Sequence, residues 1–268
     1  MKVLVVAGVS VAALALAGPA SAAGMYWPST AAPLGLWSWT GFYAGLNAGA
    51  GWTFDSGLPR CFDPSGADNG PRCQNVIPNT ANGSGFIGGG QVGYNWQVNP
   101  AWVAGLETDF QGSSLGGSAT VGGPFGFFGG GVAATTATFT ASEKLDWLGT
   151  VRGRLGLAMG RTLFYATGGL AYAQDALSTN FVGPSFNFPA STTVTKVGWI
   201  AGIGTEGVLA GNWSAKLEAL YYNLGTTTLL AGPALGAGLP GVTGFVRGKN
   251  FETDGVIVRG GLNLKLGW

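Results

Sequence analysis

The sequence predicts an all-β fold, an eight-stranded antiparallel transmembrane β-barrel, on three observations. Charge is scarce, glycine is abundant, and apolar residues recur at every second position in segments of about ten residues. Charged residues make up 9% of the chain, aromatics 12%, and there are 50 Gly, with a mean hydropathy of +0.29. An average chain carries about 25% charged residues and about 7% Gly. So little charge would leave a sticky surface in water. So much glycine argues against long helices, because each interior Gly costs about 1 kcal/mol relative to Ala. Disorder is opposed by 10 Trp, 15 Phe and 7 Tyr. No stretch after the first segment is long and apolar enough to span a bilayer as a helix. A closed barrel is then the membrane option that satisfies every backbone group.

The first segment reads as an export signal. Met1-Lys2 precedes the apolar run Val3–Ala17, then Gly18-Pro19 and the small residues Ala20-Ser21-Ala22. The run is shorter than the roughly 20 residues of a membrane helix and ends in an A-x-A cleavage pattern. The expected organisation is a signal peptide at 1–22, a periplasmic lead-in at 23–38 and a barrel at 39–268. Losing Lys2 from 13 basic residues leaves 12 against 12 acidic ones, a balance that gives nucleic acid no electrostatic footprint. Export makes a disulfide between Cys61 and Cys73 the expected pairing, closing a short polar loop. Two cysteines without histidine do not make a metal site.

The first barrel segment is "WTGFYAGLNAGAGW", Trp39–Trp52. Phe42, Ala44, Leu46, Ala48, Ala50 and Trp52 form an apolar face closed at each end by an aromatic ring. Tyr43, Gly45, Asn47, Gly49 and Gly51 form a small or polar one. The second, Ser84–Val98, sets Phe86, Val92, Tyr94, Trp96 and Val98 against Gln91, Asn95 and Gln97, and Asn99-Pro100 turns the chain. The third, Ala101–Gln111, sets Trp102, Ala104, Leu106 and Phe110 against Glu107, Asp109 and Gln111. The fourth runs to about Leu157, with Leu145, Trp147, Val151, Leu155 and Leu157 opposite Asp146, Arg152 and Arg154. The fifth, about Thr162–Ala173, aligns Phe164, Ala166, Leu170 and Tyr172. In the sixth, about Thr193–Leu209, Val197, Trp199, Ala201, Ile203 and Leu209 oppose Lys196 and Glu206. In the seventh Trp213, Ala215, Leu217, Ala219 and Tyr221 oppose Lys216 and Glu218. The last segment sets Val256, Val258, Leu262, Leu264, Leu266 and Trp268 against Arg259, Asn263 and Lys265.

Charge placement is the sharpest indication. Every charged residue within these segments falls on the face opposite the apolar one. A cation on the lipid side near the midplane costs about 2–4 kcal/mol. Short connections near 99–100, 158–161 and 210–212 alternate with long ones near 53–83, 112–134, 174–192 and 224–250. Both termini and the short turns therefore belong on the periplasmic side.

Five segments resemble the small outer-membrane surface-antigen family of Gram-negative bacteria, whose members are called outer-membrane immunogenic or porin-family proteins. They are "WTGFYAGLNAGAGW", "LDWLGTVRGRLGLA", "LFYATGGLAYA", "NWSAKLEALYYNLG" and "VRGGLNLKLGW". The resemblance covers most of the strand segments and none of the long connections. It implies a barrel similar to the transmembrane domain of OmpA-type proteins, located in the outer membrane. It also implies biogenesis through periplasmic chaperones and the barrel-assembly machinery, which reads an aromatic at the end of the last strand. The family usually ends in Phe; this chain ends in Trp268.

The chemistry of the residues points away from catalysis. There is no His, hence no usual general base or haem ligand, and no cofactor is expected. Glu107 and Asp109 share a face, but interior carboxylates neutralised by interior Arg and Lys account for them better than a paired-carboxylate site. Glycine patterns of the form G-x-G-x-x-G start at Gly83, Gly88, Gly202 and Gly236. None joins a strand to a helix, and at this glycine content such matches arise by chance. The informative feature is a polar core of Glu107, Asp109, Asp146, Arg152, Arg154, Lys196, Glu206, Lys216, Glu218, Arg259 and Lys265. An eight-stranded barrel is just wide enough for side chains to fill it. The expected function is structural: envelope integrity and display of antigenic loops, with outer-membrane lipid as the surrounding partner. A narrow porin is the alternative, as is a loop-based adhesin or ligand binder that meets a host or envelope partner through its long loops. The stretch Gly122–Gly131, with Phe125, Phe127 and Phe128, is either a mobile loop resting on the rim or such a contact.

Overall fold

The computed structural model describes residues 37–54, 59–62, 82–125, 135–184, 186–231 and 246–266. Its strands are β1 (Gly41–Phe54), β2 (Pro59–Phe62), β3 (Gly83–Gln97), β4 (Trp102–Phe125), β5 (Thr135–Met159), β6 (Thr162–Gly183), β7 (Phe186–Val208), β8 (Trp213–Ala231) and β9 (Val246–Leu266). All described pairings are antiparallel, each strand from β3 to β9 joins the next, and β1 pairs with both β3 and β9. Eight strands thus close a ring. The ninth, β2, continues beyond β1 along the outer part of β9, from Pro59 opposite Lys249 to Phe62 opposite Val246. The predicted signal peptide, the lead-in up to Leu36, Cys73 and Trp268 lie outside the described residues, so the Cys61–Cys73 pairing does too.

Alternation explains the wall. On the outside stand Phe42, Leu46, Val92, Leu106, Val151, Leu155, Leu170, Val197, Ile203, Leu217 and Leu262, each about half exposed or more. Side chains of such size left in water forfeit about 1.5–3 kcal/mol each, so this band belongs in hydrocarbon. Aromatics mark its two limits. At the short-turn end Tyr94 meets Phe42 edge-on and Trp96 at a tilt, with ring centroids 4.5 and 4.6 Å apart. At the other end Phe110, Trp147 and Tyr172 make a second chain at 5.4 and 6.0 Å, and Trp199 and Tyr221 approach to 5.4 Å. The short turns at Gly160 and Gly211 place both glycines at positive φ, 63° and 53°, where a Cβ would be strained.

Three features depart from the sequence reading. Strands reach well into the regions read as long connections: β4 runs to Phe125, and β6 and β7 stay paired out to Gly183 and Phe186. A crossing needs about 9–11 residues, whereas β5 has 25, so these strands stand far out on the long-loop side. Second, a bulge interrupts the register between Leu145 and Trp147 in β5, opposite one between Gly112 and Leu115 in β4. The extra residue, Asp146, switches faces. Leu145, read as outward, is buried inside at 1% exposure. Third, Trp37 and Trp39 fold against the short-turn end, with rings 6.2 Å apart and edge-on. Trp39 N–H donates to Gln97 Oε1 (2.9 Å), and Lys265 Nζ donates to the Ser38 carbonyl (2.6 Å). Among the described residues the barrel packing therefore includes Trp37 and Trp39, ahead of the first strand.

Candidate functional site: a filled lumen

Inside the ring three layers follow one another. At the short-turn end Trp39, Val103, Leu163 and Tyr165 pack together with Trp37, Ala158 and Val208 against them. At the other end Ile87, Leu115, Leu145, Leu148, Ile200, Leu220, Tyr222, Leu224 and Ile257 form a second apolar layer. Between them lies a belt of charge.

The belt holds Glu107, Asp109, Glu206 and Glu218 against Arg152, Arg154, Lys216 and Arg259, all at 5% exposure or less. Arg152 pairs with Glu107, with Asp109 (3.0 Å) and with Glu218 (3.4 Å). Arg259 pairs with Glu218 (2.7 Å) and Asp109 (2.8 Å), Lys216 with Glu107 (2.8 Å) and Glu218 (3.3 Å), and Arg154 with Glu206 (3.0 Å). The belt is neutral and densely cross-linked, which buried charge requires: a partner removed leaves an ion with neither water nor counter-charge. Amides complete it. Asn47 donates to Gln91 (2.9 Å), Gln91 to Asn263 (2.6 Å) and Asn263 to Glu206 (2.9 Å), while Arg154 Nε donates to Asn95 (2.7 Å).

The belt is built twice. Tyr43 on β1 lies opposite Gly93, Gly93 opposite Glu107, and Glu107 opposite Arg152. Four strands on, Tyr165 lies opposite Gly204, Gly204 opposite Glu218, and Glu218 opposite Arg259. Each glycine leaves its tyrosine room to cross the strand: a Cβ on Gly93 would overlap the Tyr43 phenol, and one on Gly204 would come within 2.5 Å of Tyr165 Cζ. Tyr43 Oη then donates to Glu107 (2.8 Å) and Tyr165 Oη to Glu218 (2.9 Å). The Arg154 guanidinium lies against both rings, 4.8 Å from the centre of Tyr43 and 5.1 Å from that of Tyr165. The duplication is written in the chain: Phe42-Tyr43-Ala44 matches Phe164-Tyr165-Ala166, "WVAGLE" (102–107) matches "WSAKLE" (213–218), and "VRGRLGL" (151–157) matches "VRGGLNL" (258–264).

Three residues assigned to the polar core from sequence stand apart from this belt. Asp146, displaced by the bulge, pairs with its neighbour Lys144 at 2.8 Å, with the two side chains 36% and 61% exposed. Lys265 sits at the short-turn mouth, 5.2 Å from the Trp37 ring. Lys196 is buried but belongs to a separate outer cluster. It pairs with Asp175 (2.7 Å) and donates to Thr253 (2.6 Å), whose hydroxyl also meets Glu143. Glu143 and Asp175 escaped the sequence reading because the bulge reverses the parity of β5, and because β6 beyond Ala173 reads as loop.

A sequence profile described as the outer membrane protein beta-barrel domain matches residues 3–256. The chain belongs to that family. It is 39% identical over 203 residues to the 31 kDa outer-membrane immunogenic proteins of Brucella melitensis biotype 1 and Brucella suis biovar 1, covering 75% of this chain and 78% of theirs. It is 30% identical over 135 residues to a 22 kDa outer membrane protein of Rhizobium leguminosarum bv. viciae, covering 50% of this chain and 51% of that one. Among solved structures, the outer membrane protein OprG from Pseudomonas aeruginosa aligns over 85% of this chain and 97% of its own, at 12% identity and a TM-score of 0.39. This family member is an outer-membrane β-barrel protein. Its apolar band is the surface that meets lipid, and its long-loop end is the extracellular one.

Proposed function

We propose that the protein is a closed, structural barrel that supports the integrity of the outer membrane and presents its long outer strands and loops as surface antigens. The observation that supports this best is the filled lumen, a neutral charge belt held between two apolar layers. A solute path would have to break the belt's cross-links and part the rings at Trp37 and Trp39. Catalysis has no place in the reading: the belt carboxylates are committed to Arg and Lys, and the sequence offers no His to act as a base. Relatives named as immunogenic are consistent with surface display.

Planar-bilayer recording of the purified full chain tests the closed barrel. Brief, small fluctuations are expected; a stable, large open state would overturn it in favour of a narrow porin. For the envelope role, a strain lacking the protein is expected to become more sensitive to detergent and to large hydrophobic dyes. Unchanged sensitivity would remove that part of the proposal.

A further inference from the structure

Beyond the extracellular aromatic girdle the outside of the wall changes character. On β4–β7 the outward positions become Ser114, Ser118 and Thr120, then Thr138, Thr140 and Ser142, then Ser178, Asn180, Ser191, Thr193 and Thr195. These residues line up across the strands. Ser118 lies opposite Ser142, Ser142 opposite Ser178, and Ser178 opposite Ser191, a row of four serines on four strands. The next row outward runs Thr120, Thr140, Asn180 and Pro189, and within it the Thr120 and Thr140 hydroxyls are 3.1 Å apart. Among the described outward residues of this face only Lys144 and Asp146 are charged, and they neutralise each other.

We propose that this face binds the neutral saccharide headgroup of an outer-leaflet glycolipid. Three features carry the inference. The face continues the lipid-facing wall directly past Phe110, Trp147 and Tyr172, so it stands where headgroups stand. Its described outward residues carry one self-neutralised ion pair, Lys144–Asp146, where a water-facing sheet ordinarily carries many charges, and they include none of the aromatic and Arg anchors that hold a protein partner. Its hydroxyls each donate one hydrogen bond and accept up to two, as sugar hydroxyls do. They are set at the strand spacing of about 4.8 Å, close to the separation of alternate equatorial hydroxyls on a hexopyranose ring. Neutral sugars can dock there without any ion being stripped of water.

The test compares the full-length protein with the S118A/S142A/S178A/S191A variant in three bilayers: phosphatidylcholine, the same lipid with added lipid A, and the same lipid with lipopolysaccharide that carries its neutral core sugars. For the wild type, the thermal unfolding midpoint is expected to rise by about 2–4 °C on going from lipid A to core-bearing glycolipid; for the variant it is expected to stay flat. An equal rise in both proteins, or none in the wild type, would overturn the proposal. A rise already complete with lipid A would assign the effect to phosphates and overturn it as well. Should the variant fail to insert, hydrogen exchange on the wild type decides. Slower exchange of the Ser118–Val121 and Ser191–Thr195 amides with core sugars than with lipid A supports the proposal, and equal exchange overturns it.

Discussion

Glu107 on β4 and Glu218 on β8 occupy equivalent places in two halves of one barrel. Each accepts from a tyrosine two strands before it and faces an arginine on the strand after it. Arg152 links the two, since it pairs with both glutamates. The halves are therefore joined through their charges as well as through the ladders at β5–β6 and β9–β1.

Arg152→Met is expected to destabilise the barrel by about 3–5 kcal/mol, because it strands buried carboxylates. Urea unfolding in lipid vesicles measures this. Glu218→Gln added to Arg152→Met should cost less than the sum of the two single changes, since removing one carboxylate relieves part of the excess negative charge.

Gly204→Ala is expected to cost about 1–3 kcal/mol, the usual range for overpacking. Its new methyl would press on the Tyr165 ring and on no other side chain among its nearest contacts. Tyr165→Val should therefore cancel much of that cost. A double-mutant cycle read by the same unfolding assay shows whether the two residues couple.

Asp146 and Asp109 should behave in opposite ways despite their similar sequence settings. Asp146→Ala is expected to change stability by under about 1 kcal/mol, as for an exposed pair. Asp109→Ala, which deprives Arg152 and Arg259 of a shared partner, should cost about 3–5 kcal/mol. Equal effects would place Asp146 back in the belt.

Leu46→Arg puts a cation on the outer surface between the two girdles, where Leu46 is 72% exposed. A loss of about 2–4 kcal/mol is expected, with slower insertion into vesicles and less of the heat-dependent gel shift of a folded barrel.

At the periplasmic mouth, Trp39→Ala is expected to cost about 3–5 kcal/mol, as for other buried large-to-small changes. Lys265→Met should cost about 1 kcal/mol or less, because its bonds to Ser38 and Trp37 lie in a partly exposed site. Equilibrium unfolding of the two variants in parallel compares them.

Much of this architecture was readable in the chain. Period-two alternation in "WTGFYAGLNAGAGW" and the scarcity of charge on one face gave the barrel, and most of the belt residues with it. The bulge at Asp146 was not readable, since Leu145 and Trp147 look like one continuous outward face and nothing local marks the inserted residue. The outer reaches of β4–β7 read as loops because they lack a lipid-type face; they are strands whose outside meets neither hydrocarbon nor the core. The internal duplication was available in "WVAGLE" and "WSAKLE", and it becomes meaningful once the ladders show that both copies sit at the same register.

The sequence alone determined which solvent each face was made for, because a lipid-facing cation costs several kcal/mol and selection against it leaves a pattern of period two. The tertiary structure decided which charges meet. Closing the ring brings Arg152, Lys216 and Arg259 from three separate strands onto Glu107 and Glu218, and a bulge of one residue removes Asp146 from that company. Register across a closed sheet is a long-range property: it fixes partners more than a hundred residues apart, which no local pattern records.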